Sequence, residues 1–192
     1  MDQVRTPRQI SAPIRHFDLT VERAFDRLRG RPLVDRALYT ASELGNHSLI
    51  WHLLATAQGL RRGGDLAGTV RVVVLLGVES ALVNGPVKSV FRRQRPVHDS
   101  PRPHRLRTPR TSSFPSGHAS AAAVFVVVAG EDDALAPLYI ALATAVAASR
   151  VHVRIHHPSD VAGGAVLGVA LGAVLRWWWP AGRLLPRGIG RR

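Results

Sequence analysis

The chain contains long stretches without a charged side chain, and arginine-rich segments separate them. The clearest stretch, residues 134–149, reads ALAPLYIALATAVAAS and holds sixteen residues without a charge. A helix needs about 20 mostly apolar residues to cross a bilayer, where its own hydrogen bonds must satisfy the backbone. Hydrophobic residues make up 46% and aromatic residues 6% of the sequence. This composition favours closely packed helices over an aromatic-rich sheet.

Five segments of the sequence could cross a bilayer. They lie at about 36–60, 66–87, 115–130, 134–152 and 160–179. The last three are the most apolar, whereas polar side chains interrupt the first two, namely His47, His52, Arg71 and Glu79. An intramembrane Glu79 is expected to face the bundle interior. The predicted fold is an all-α integral-membrane helical bundle with about five transmembrane helices plus an N-terminal amphipathic helix; a soluble helical bundle is the alternative.

The last predicted span carries two patterns that are common in membrane helices. Gly164, Gly168 and Gly172 form a stripe of small residues, which lets a neighbouring helix approach closely. The run 177–179 consists of three tryptophans, which suit the aromatic belt at a membrane interface. We therefore expect close helix packing along the glycine stripe and an interfacial position for the tryptophans.

The segment before the first span has a helical period with basic residues between the apolar ones. The apolar positions are Ile14, Phe17, Val21, Phe25 and Leu28. This pattern predicts an amphipathic helix on a membrane surface, with a soluble helix docked on the domain as the alternative. The expected organisation is an amphipathic basic segment at 1–35, a membrane-embedded domain at 36–180 and a basic tail at 181–192.

The formal net charge of +13 indicates an anionic partner. Nucleic acid, an anionic membrane surface and a phosphorylated substrate are the candidate classes. Lys88 is the only lysine among 26 basic residues. The chain has no cysteine, so disulfide frameworks and thiolate metal sites are excluded.

Three polar clusters lie at the ends of predicted spans. The second span ends at KSVFRRQRP (88–96), the third begins at FPSGHAS (114–120), and the fourth ends at SRVHVRIHHPSD (149–160). Five spans with short connections place all three clusters on the same side of the membrane. An up-and-down bundle therefore brings them together.

The first two clusters contain groups that suit an anion. Lys88 and Arg95 are two helical turns apart, although such a pair is also common where basic side chains snorkel from a helix end. Ser116 is a favourable helix cap, and Gly117 lets an anion approach the free amides of a helix start. The string PSGH is by itself also an ordinary turn sequence.

The third cluster allows either catalysis or metal binding. Asp160 follows His156 by four residues and can orient its imidazole as a nucleophile or base, although a structural His–Asp pair has the same spacing. His152 and His156 also have the i, i+4 spacing of zinc ligands. However, the glutamate of the metalloprotease pattern is absent, and Arg150 and Arg154 would repel a metal. We expect neither a metal nor another cofactor, and the cations favour a phosphate.

Together the clusters resemble the three-part signature of the type 2 phosphatidic acid phosphatase (PAP2) superfamily, K-x6-R-P, P-S-G-H and S-R-x5-H-x3-D. All specified letters occur in order and with the correct internal spacing. They are Lys88, Arg95, Pro96, Pro115, Ser116, Gly117, His118, Ser149, Arg150, His156 and Asp160. Membrane members of the family usually have six spans, whereas the sequence predicts five and an amphipathic helix.

The resemblance implies a metal-independent phosphatase that hydrolyses a polyprenyl or phosphatidate-like lipid phosphate or diphosphate. By analogy, His156 would form a phosphohistidine, oriented by Asp160, and His118 would protonate the leaving oxygen and then activate water. The phosphate oxygens would be held by Lys88, Arg95, Arg150, Ser116 and Gly117. A phosphotransferase of the same family and a noncatalytic membrane protein that binds anionic lipid are the alternatives.

The expected partners are a lipid phosphate and the membrane, not nucleic acid, and the oligomeric state is left open. The protein is expected to cross a cell membrane several times, and the expected membrane is a bacterial inner membrane. The arginines of the N-terminal segment, taken with the positive-inside rule, favour a cytoplasmic active site.

Overall fold

The computed structural model describes residues 11–97, 106, 109 and 111–187, and it forms helices and turns without a β-strand over those residues. The helices are α1 (Ala12–Asp26), α2 (Pro32–Leu44), α3 (Leu49–Arg61), α4 (Leu66–Leu82), α5 (Lys88–Val90), α6 (Gly117–Ala129), α7 (Ala136–His152) and α8 (Pro158–Trp178). A 3₁₀ segment, Asn46–Ser48, joins α2 to α3, and a π-helical turn, Val83–Val87, joins α4 to α5. The predicted all-α fold is confirmed.

Local sequence explains where several helices begin. The helices α2 and α8 start at Pro32 and Pro158, whose fixed φ angle and missing N–H suit the first turn. Asp65 caps α4 by accepting a hydrogen bond from the Gly68 amide at 2.8 Å, and Ser116 caps α6. These helix starts lie within a few residues of the positions expected from sequence.

The core surrounds α6, which packs against α4, α7 and α8. An aromatic stack runs through it, with ring centroids 5.1 Å apart for Trp51 and Phe125 and 5.2 Å apart for Phe125 and Tyr139. All three side chains are buried. The stack joins α3, the second half of α6 and the first turn of α7.

The glycine stripe of α8 lies directly against α6, as predicted. A Cβ atom on Gly164 would collide with the carbonyl oxygen of Ser116, and one on Gly168 would collide with that of Ser120. The Gly172 position would bring a Cβ within 3.0 Å of Val127. Small residues therefore set the distance between two helices that both carry predicted site residues.

Two helical stretches in the described part of the chain are long and apolar enough to cross a membrane. They are Leu66–Val90, with 25 residues, and Pro158–Trp178, with 21 residues. The helices α6 and α7 are shorter, and the predicted span at 36–60 is divided into α2 and α3, each of 13 residues. The count of five spans therefore remains a prediction.

The division between α2 and α3 has a backbone cause. His47 and Ser48 have φ angles of 52° and 57°, in the left-handed region that non-glycine residues seldom occupy. Two such residues in succession interrupt the right-handed helix. This break was not predicted, because Asn46–Ser48 lies inside an otherwise uncharged segment.

Of the four polar residues named within the predicted spans, Arg71 and Glu79 face the interior, whereas His52 is half-buried and His47 is exposed. Glu79 is 1% exposed and Arg71 is 3% exposed, so the expected position of Glu79 is confirmed.

The three tryptophans at 177–179 do not all lie at the surface as expected. Trp177 is exposed, whereas Trp179 is buried and its carbonyl oxygen accepts a hydrogen bond from Arg71 Nε at 2.6 Å. Trp179 therefore closes the core instead of joining an exterior belt.

The helix α1 occupies the predicted N-terminal position, and Ile14 and Phe17 lie exposed on it. Its one buried residue is Asp18, and Val21, Glu22 and Phe25 are half-buried, so the side that touches the protein combines acidic and apolar groups. The expected boundary between residues 35 and 36 falls within α2, and the division into three segments stays a prediction. Part of the predicted basic tail, residues 188–192, and part of the arginine-rich loop, including 98–105, lie outside the described residues.

Candidate active site

The start of α6 lies beside the side chain of Lys88. Ser116 caps the helix, and its own amide donates to the Asp160 carbonyl oxygen at 3.0 Å. A Cβ atom added to Gly117 would lie 3.5 Å from Lys88 Nζ and 2.8 Å from Asn84 Oδ1. Glycine therefore lets the ammonium group approach the helix start, where free amides favour an anion.

Lys88 follows the π-helical turn and is 8% exposed. Its Nζ donates to Asn84 Oδ1 at 2.9 Å, so an amide from the preceding turn holds the ammonium in place. The chain then extends through residues 91–97, which carry Arg95 toward the loop after α7. Lys88 thus reaches the site from a helix and Arg95 from extended chain. Their spacing had suggested that both lie on one face of a single helix.

Arg95 contacts the imidazole of His156. Its Nη1 lies 3.2 Å from His156 Nε2 and donates to the Ile155 carbonyl oxygen at 3.0 Å. The Nε and Nη2 groups donate to the carbonyl oxygens of Thr111 and Ser112, each at 3.2 Å. These backbone acceptors fix the guanidinium plane against the imidazole.

The partners of His156 define its tautomer. A guanidinium group can only donate, so Nε2 facing Arg95 is the acceptor nitrogen. The other nitrogen, Nδ1, lies 2.7 Å from the carbonyl oxygen of Ser113 and therefore carries the proton. His156 is 2% exposed, and its unprotonated nitrogen points toward a cation. This is the arrangement that a nucleophilic imidazole requires.

Asp160 lies close to His156 but is not its nearest hydrogen-bond partner. Asp160 Oδ2 is 3.7 Å from His156 Nδ1 and accepts a hydrogen bond from the His157 amide at 2.8 Å. The carbonyl of Ser113 makes the shorter contact with the ring. The structure thus places Asp160 where its charge acts on the imidazole, while a backbone group sets the ring orientation.

The surroundings of His156 keep its imidazole neutral. Burial and the positive charges of Arg150 and Arg95 together lower the pKa of His156 to about 4, against the opposing effect of Asp160. His156 lies in the loop between α7 and α8. At neutral pH its Nε2 lone pair is therefore available.

Arg150 and His118 complete the group of predicted residues. Arg150, in the last turn of α7, is 1% exposed and donates through Nη1 to Ser42 Oγ. His118 Nε2 lies 3.1 Å from Asn46 Oδ1. His118 is within electrostatic range of Arg150, His156 and Lys88. The structure therefore gathers residues from all three sequence clusters at one end of the bundle.

Asn46 is a site neighbour that sequence reasoning missed. Its Nδ2 donates to Glu43 Oε2 at 3.0 Å, which leaves Oδ1 to accept from His118. The residue lies in the segment with left-handed backbone between α2 and α3. Its role depends on that irregular backbone and on a contact across 72 positions, for which the sequence carries no signal.

Arg93 and Asp18 were also missed. Arg93 donates to Asp160 Oδ1 and to Asp18 Oδ2, both at 2.6 Å. Arg93 lies inside the first cluster, at one of the six variable positions of the K-x6-R-P motif, so the motif did not single it out. Asp18 carried no sequence signal, because α1 also contains Glu22 and Asp26 and because the partner of Asp18 lies 75 positions away.

The two histidines of the alternative zinc pattern serve different networks. His152 Nε2 lies 2.7 Å from Asp35 Oδ1, and Arg29 donates to the His152 carbonyl oxygen at 2.9 Å. The ring of His156 contacts Ser113 and Arg95 instead. The spacing in sequence therefore does not correspond to a shared ligand.

A helical bundle with a neutral buried imidazole, several cations and a capped helix start at one end has the features of an enzyme that acts on an anionic substrate. Residues 68–183 match the family model of the PAP2 superfamily. The chain belongs to the PAP2 superfamily. The family predicted from the three motifs is confirmed.

Relatives of known name support the same assignment. Decaprenylphosphoryl-5-phosphoribose phosphatase from Mycobacterium tuberculosis is 33% identical over 141 residues, which cover 64% of this chain and 78% of the relative. The protein of that name from Mycolicibacterium smegmatis is 32% identical over 139 residues, which cover 71% of this chain and 74% of the relative. Both are curated as phosphatases of a lipid-linked phosphate.

Two crystal structures of family members have the same fold. A PAP2-type phosphatidylglycerolphosphate phosphatase from Bacillus subtilis superposes with a TM-score of 0.65 at 22% identity, covering 86% of each chain. LpxE from Aquifex aeolicus gives a TM-score of 0.68 at 22% identity, covering 88% of this chain and 98% of the other. At this level of identity the likeness shows a shared fold.

Proposed function

We propose that this protein is a membrane phosphatase that removes a phosphate from a polyprenyl-linked lipid. Membership in the PAP2 superfamily and the named activity of its relatives support a lipid-linked phosphate as substrate. The observation that carries the proposal is the contact between His156 Nε2 and Arg95, because it presents a nucleophile beside a phosphate-binding cation. A phosphorylated polyprenyl-linked sugar, as in the names of the relatives, is the preferred substrate class.

The first chemical step transfers the phosphoryl group to the enzyme. His156 Nε2 attacks phosphorus, the bond from phosphorus to the leaving oxygen breaks, and His118, as the imidazolium, gives that oxygen a proton and becomes neutral. Arg95 Nη1 turns from Nε2 to a phosphate oxygen, which Lys88, Arg150 and the amides at the start of α6 also hold. The ring gains positive charge, and Asp160, at 3.7 Å, stabilises it.

The second step releases the phosphate. His118 takes a proton from water, the water oxygen attacks phosphorus, and the nitrogen–phosphorus bond breaks. Inorganic phosphate leaves and His156 returns to its neutral state. The side chains of this chain supply both the proton transfers and the positive charge near phosphorus.

The membrane arrangement that we propose has five crossings, formed by α2 with α3, α4 with α5, α6, α7 and α8. In this arrangement α1 lies on the side of the catalytic cluster, and the hydrogen bond of 2.8 Å from the Ser159 amide to Asp18 supports that placement. The proposed location is a bacterial cell membrane with the site on its cytoplasmic face, for which the arginines of the N-terminal segment are the support.

The test compares histidine variants of the detergent-solubilised protein with a polyprenyl-linked phosphate as substrate. We expect His156→Ala and His118→Ala to lose phosphate release by at least about 100-fold, because each removes a step of the reaction. Orthovanadate, which mimics five-coordinate phosphorus, should inhibit the wild-type protein, and EDTA should not.

The matched control is His16→Ala, which removes an exposed imidazole from α1 and should keep wild-type activity. Full activity in either site variant would contradict the assigned roles. Absence of phosphate release by the wild-type protein from every lipid phosphate supplied would contradict the proposed function itself.

A further inference from the structure

Arg93 is a largely buried cation that the three-part signature does not specify. Its side chain is 13% exposed. Its Nη1 donates to Ser159 Oγ at 2.7 Å and to Asp160 Oδ1 at 2.6 Å, and its Nη2 donates to Asp18 Oδ2 at 2.6 Å. Both terminal nitrogens therefore point at protein oxygens, which makes Arg93 a link between side chains and not a further phosphate ligand.

The contact with Arg93 determines how the Asp160 carboxylate is turned. One oxygen, Oδ1, accepts from Arg93, and the other, Oδ2, accepts from the His157 amide and lies 3.7 Å from His156 Nδ1. Asp160 is fully buried, so these contacts fix its position without competition from water. Without Arg93, the Oδ1 atom would lose its charged partner, and the carboxylate would be free to rotate away from His156.

Asp18 extends the same network into α1. Its Oδ1 accepts from the Ser159 amide at 2.8 Å, and its Oδ2 accepts from Ser159 Oγ at 2.9 Å as well as from Arg93. Ser159 lies in the first turn of α8, where a carboxylate is favourable. The contacts close a ring that joins α1, the segment after α5 and the start of α8, and Asp160 is part of it.

We propose that Arg93 and Asp18 are positioning residues for the reaction at His156. Arg93 holds Asp160 with Oδ2 toward the imidazole, and Asp18 holds both Arg93 and the first turn of α8. The helix α1 is then a structural part of the active site, because Asp18 holds Arg93, the partner of Asp160, while Ile14 and Phe17 face outward. The inference rests on the proposed role of His156 as nucleophile.

The size of the expected effect follows from the position of these residues behind the reacting group. Outer partners that orient a site residue typically change activity by about 10- to 100-fold. We therefore expect Arg93→Gln to lower kcat by about 100-fold and Asp18→Asn by about 10-fold. The KM should stay within about twofold of wild type, because the groups that touch phosphate remain. Orthovanadate mimics the transition state, so its inhibition constant should rise as kcat falls.

The experiment uses the full chain in detergent, with kcat and KM for one polyprenyl-linked phosphate and inhibition by orthovanadate. Arg93→Lys keeps a cation and should recover part of the activity lost in Arg93→Gln. The matched control is Asp26→Asn, since Asp26 is an exposed carboxylate of the same helix that pairs with Arg154 Nη2 at 2.6 Å. This control should keep kcat within about twofold of wild type. It distinguishes loss of the Asp18 contacts from a general weakening of the contacts between α1 and the bundle.

Thermal unfolding of each variant identifies those that fold. Should Arg93→Gln fail to fold, Arg93→Lys and Asp18→Asn, which both retain hydrogen-bonding groups, supply the test. A double variant, Asp18→Asn with Arg93→Lys, should lose less activity than the product of the single effects, because the two residues act through one contact.

Two results would overturn the inference. The first is a rise in KM and in the vanadate inhibition constant at unchanged kcat, which would make Arg93 a substrate ligand. The second is wild-type kcat in folded Arg93→Gln and Asp18→Asn. In either case the wild-type protein still hydrolyses the lipid phosphate, so the failure is distinct from a failure of the proposed function.

Discussion

At the scale of single residues, the site depends on which nitrogen of one imidazole is free. His156 donates through Nδ1 to the Ser113 carbonyl oxygen and presents Nε2 to Arg95. A backbone acceptor on one side and a cation on the other leave a single tautomer compatible with the contacts. The same cation that would bind phosphate also helps to keep the imidazole of His156 unprotonated.

The acid side of the pH profile tests this arrangement. His156 must be neutral to attack, and burial with the nearby arginines lowers its pKa to about 4 from an ordinary value of 6.5. Activity limited by this group should be retained at pH 5 and lost only as the pH falls toward 4, where the imidazole binds a proton. Arg95→Gln removes one cause of the lowered pKa, so the fall should occur at higher pH than in wild type.

The measurement is kcat/KM between about pH 3 and 8 for both proteins with the same substrate. Because ionisation of the substrate phosphate is common to both profiles, the difference between them reports the enzyme. Identical acid limbs in the profiles of the two proteins would contradict a neutral His156 held by Arg95.

At the scale of the elements, the contact between α6 and α8 places the two ends of the site relative to each other. Ser116, at the start of α6, and Asp160, in the first turn of α8, are linked by a hydrogen bond of 3.0 Å. The glycines of α8 allow this distance because their missing side chains would occupy the space of the α6 backbone. Helix packing therefore sets the geometry of the site.

A single added methyl group tests the packing. In Gly168→Ala, the new Cβ would meet the Ser120 carbonyl oxygen and Ala123 Cβ, so we expect a loss of about 1–3 kcal/mol in the free energy of unfolding. The control, Gly77→Ala, introduces the same group into open space and should be neutral or stabilising by up to about 1 kcal/mol. Thermal unfolding in detergent measures both, and equal midpoints would contradict tight contact between α6 and α8.

At the scale of the whole molecule, the bundle has two different ends. One end carries α1 and the predicted site residues of the three motifs. The other is closed around Asp133, which accepts hydrogen bonds from Gln58 Nε2 at 2.5 Å and Arg61 Nη2 at 2.6 Å. This ion-paired end holds α3 to the loop before α7, so the bundle is fixed at the end that carries no predicted site residue.

The absence of cysteine from the sequence permits a direct test of the proposed topology. Single cysteines at the exposed positions Leu33 and Val97 should react with a membrane-impermeant thiol reagent from one side of sealed vesicles. Cysteines at the exposed positions Leu66 and Leu184 should react from the other side. Labelling of all four from the same side would contradict five crossings, and reaction after detergent treatment controls for access.

The sequence predicted which residues form most of the site, but it did not predict which of them contact each other. Lys88, Arg95, His118 and His156 follow from the motif, and the glycine stripe follows from its spacing. The break at Asn46–Ser48 and the contacts of Arg93 do not, because they depend on backbone irregularity and on partners far apart in the chain. Sequence patterns report local periodicity, and neither feature is periodic.

The sequence by itself determined the all-helical bundle, the family and the chemical groups available to a phosphate, since these follow from hydrophobic period and motif spacing. Only the tertiary structure decided which nitrogen of His156 is free and which group orients its ring. It also decided that Asp18, in the first helix, reaches the start of the last one across 141 positions. Such contacts are set by how the helices pack, and helix packing is not encoded within any one segment.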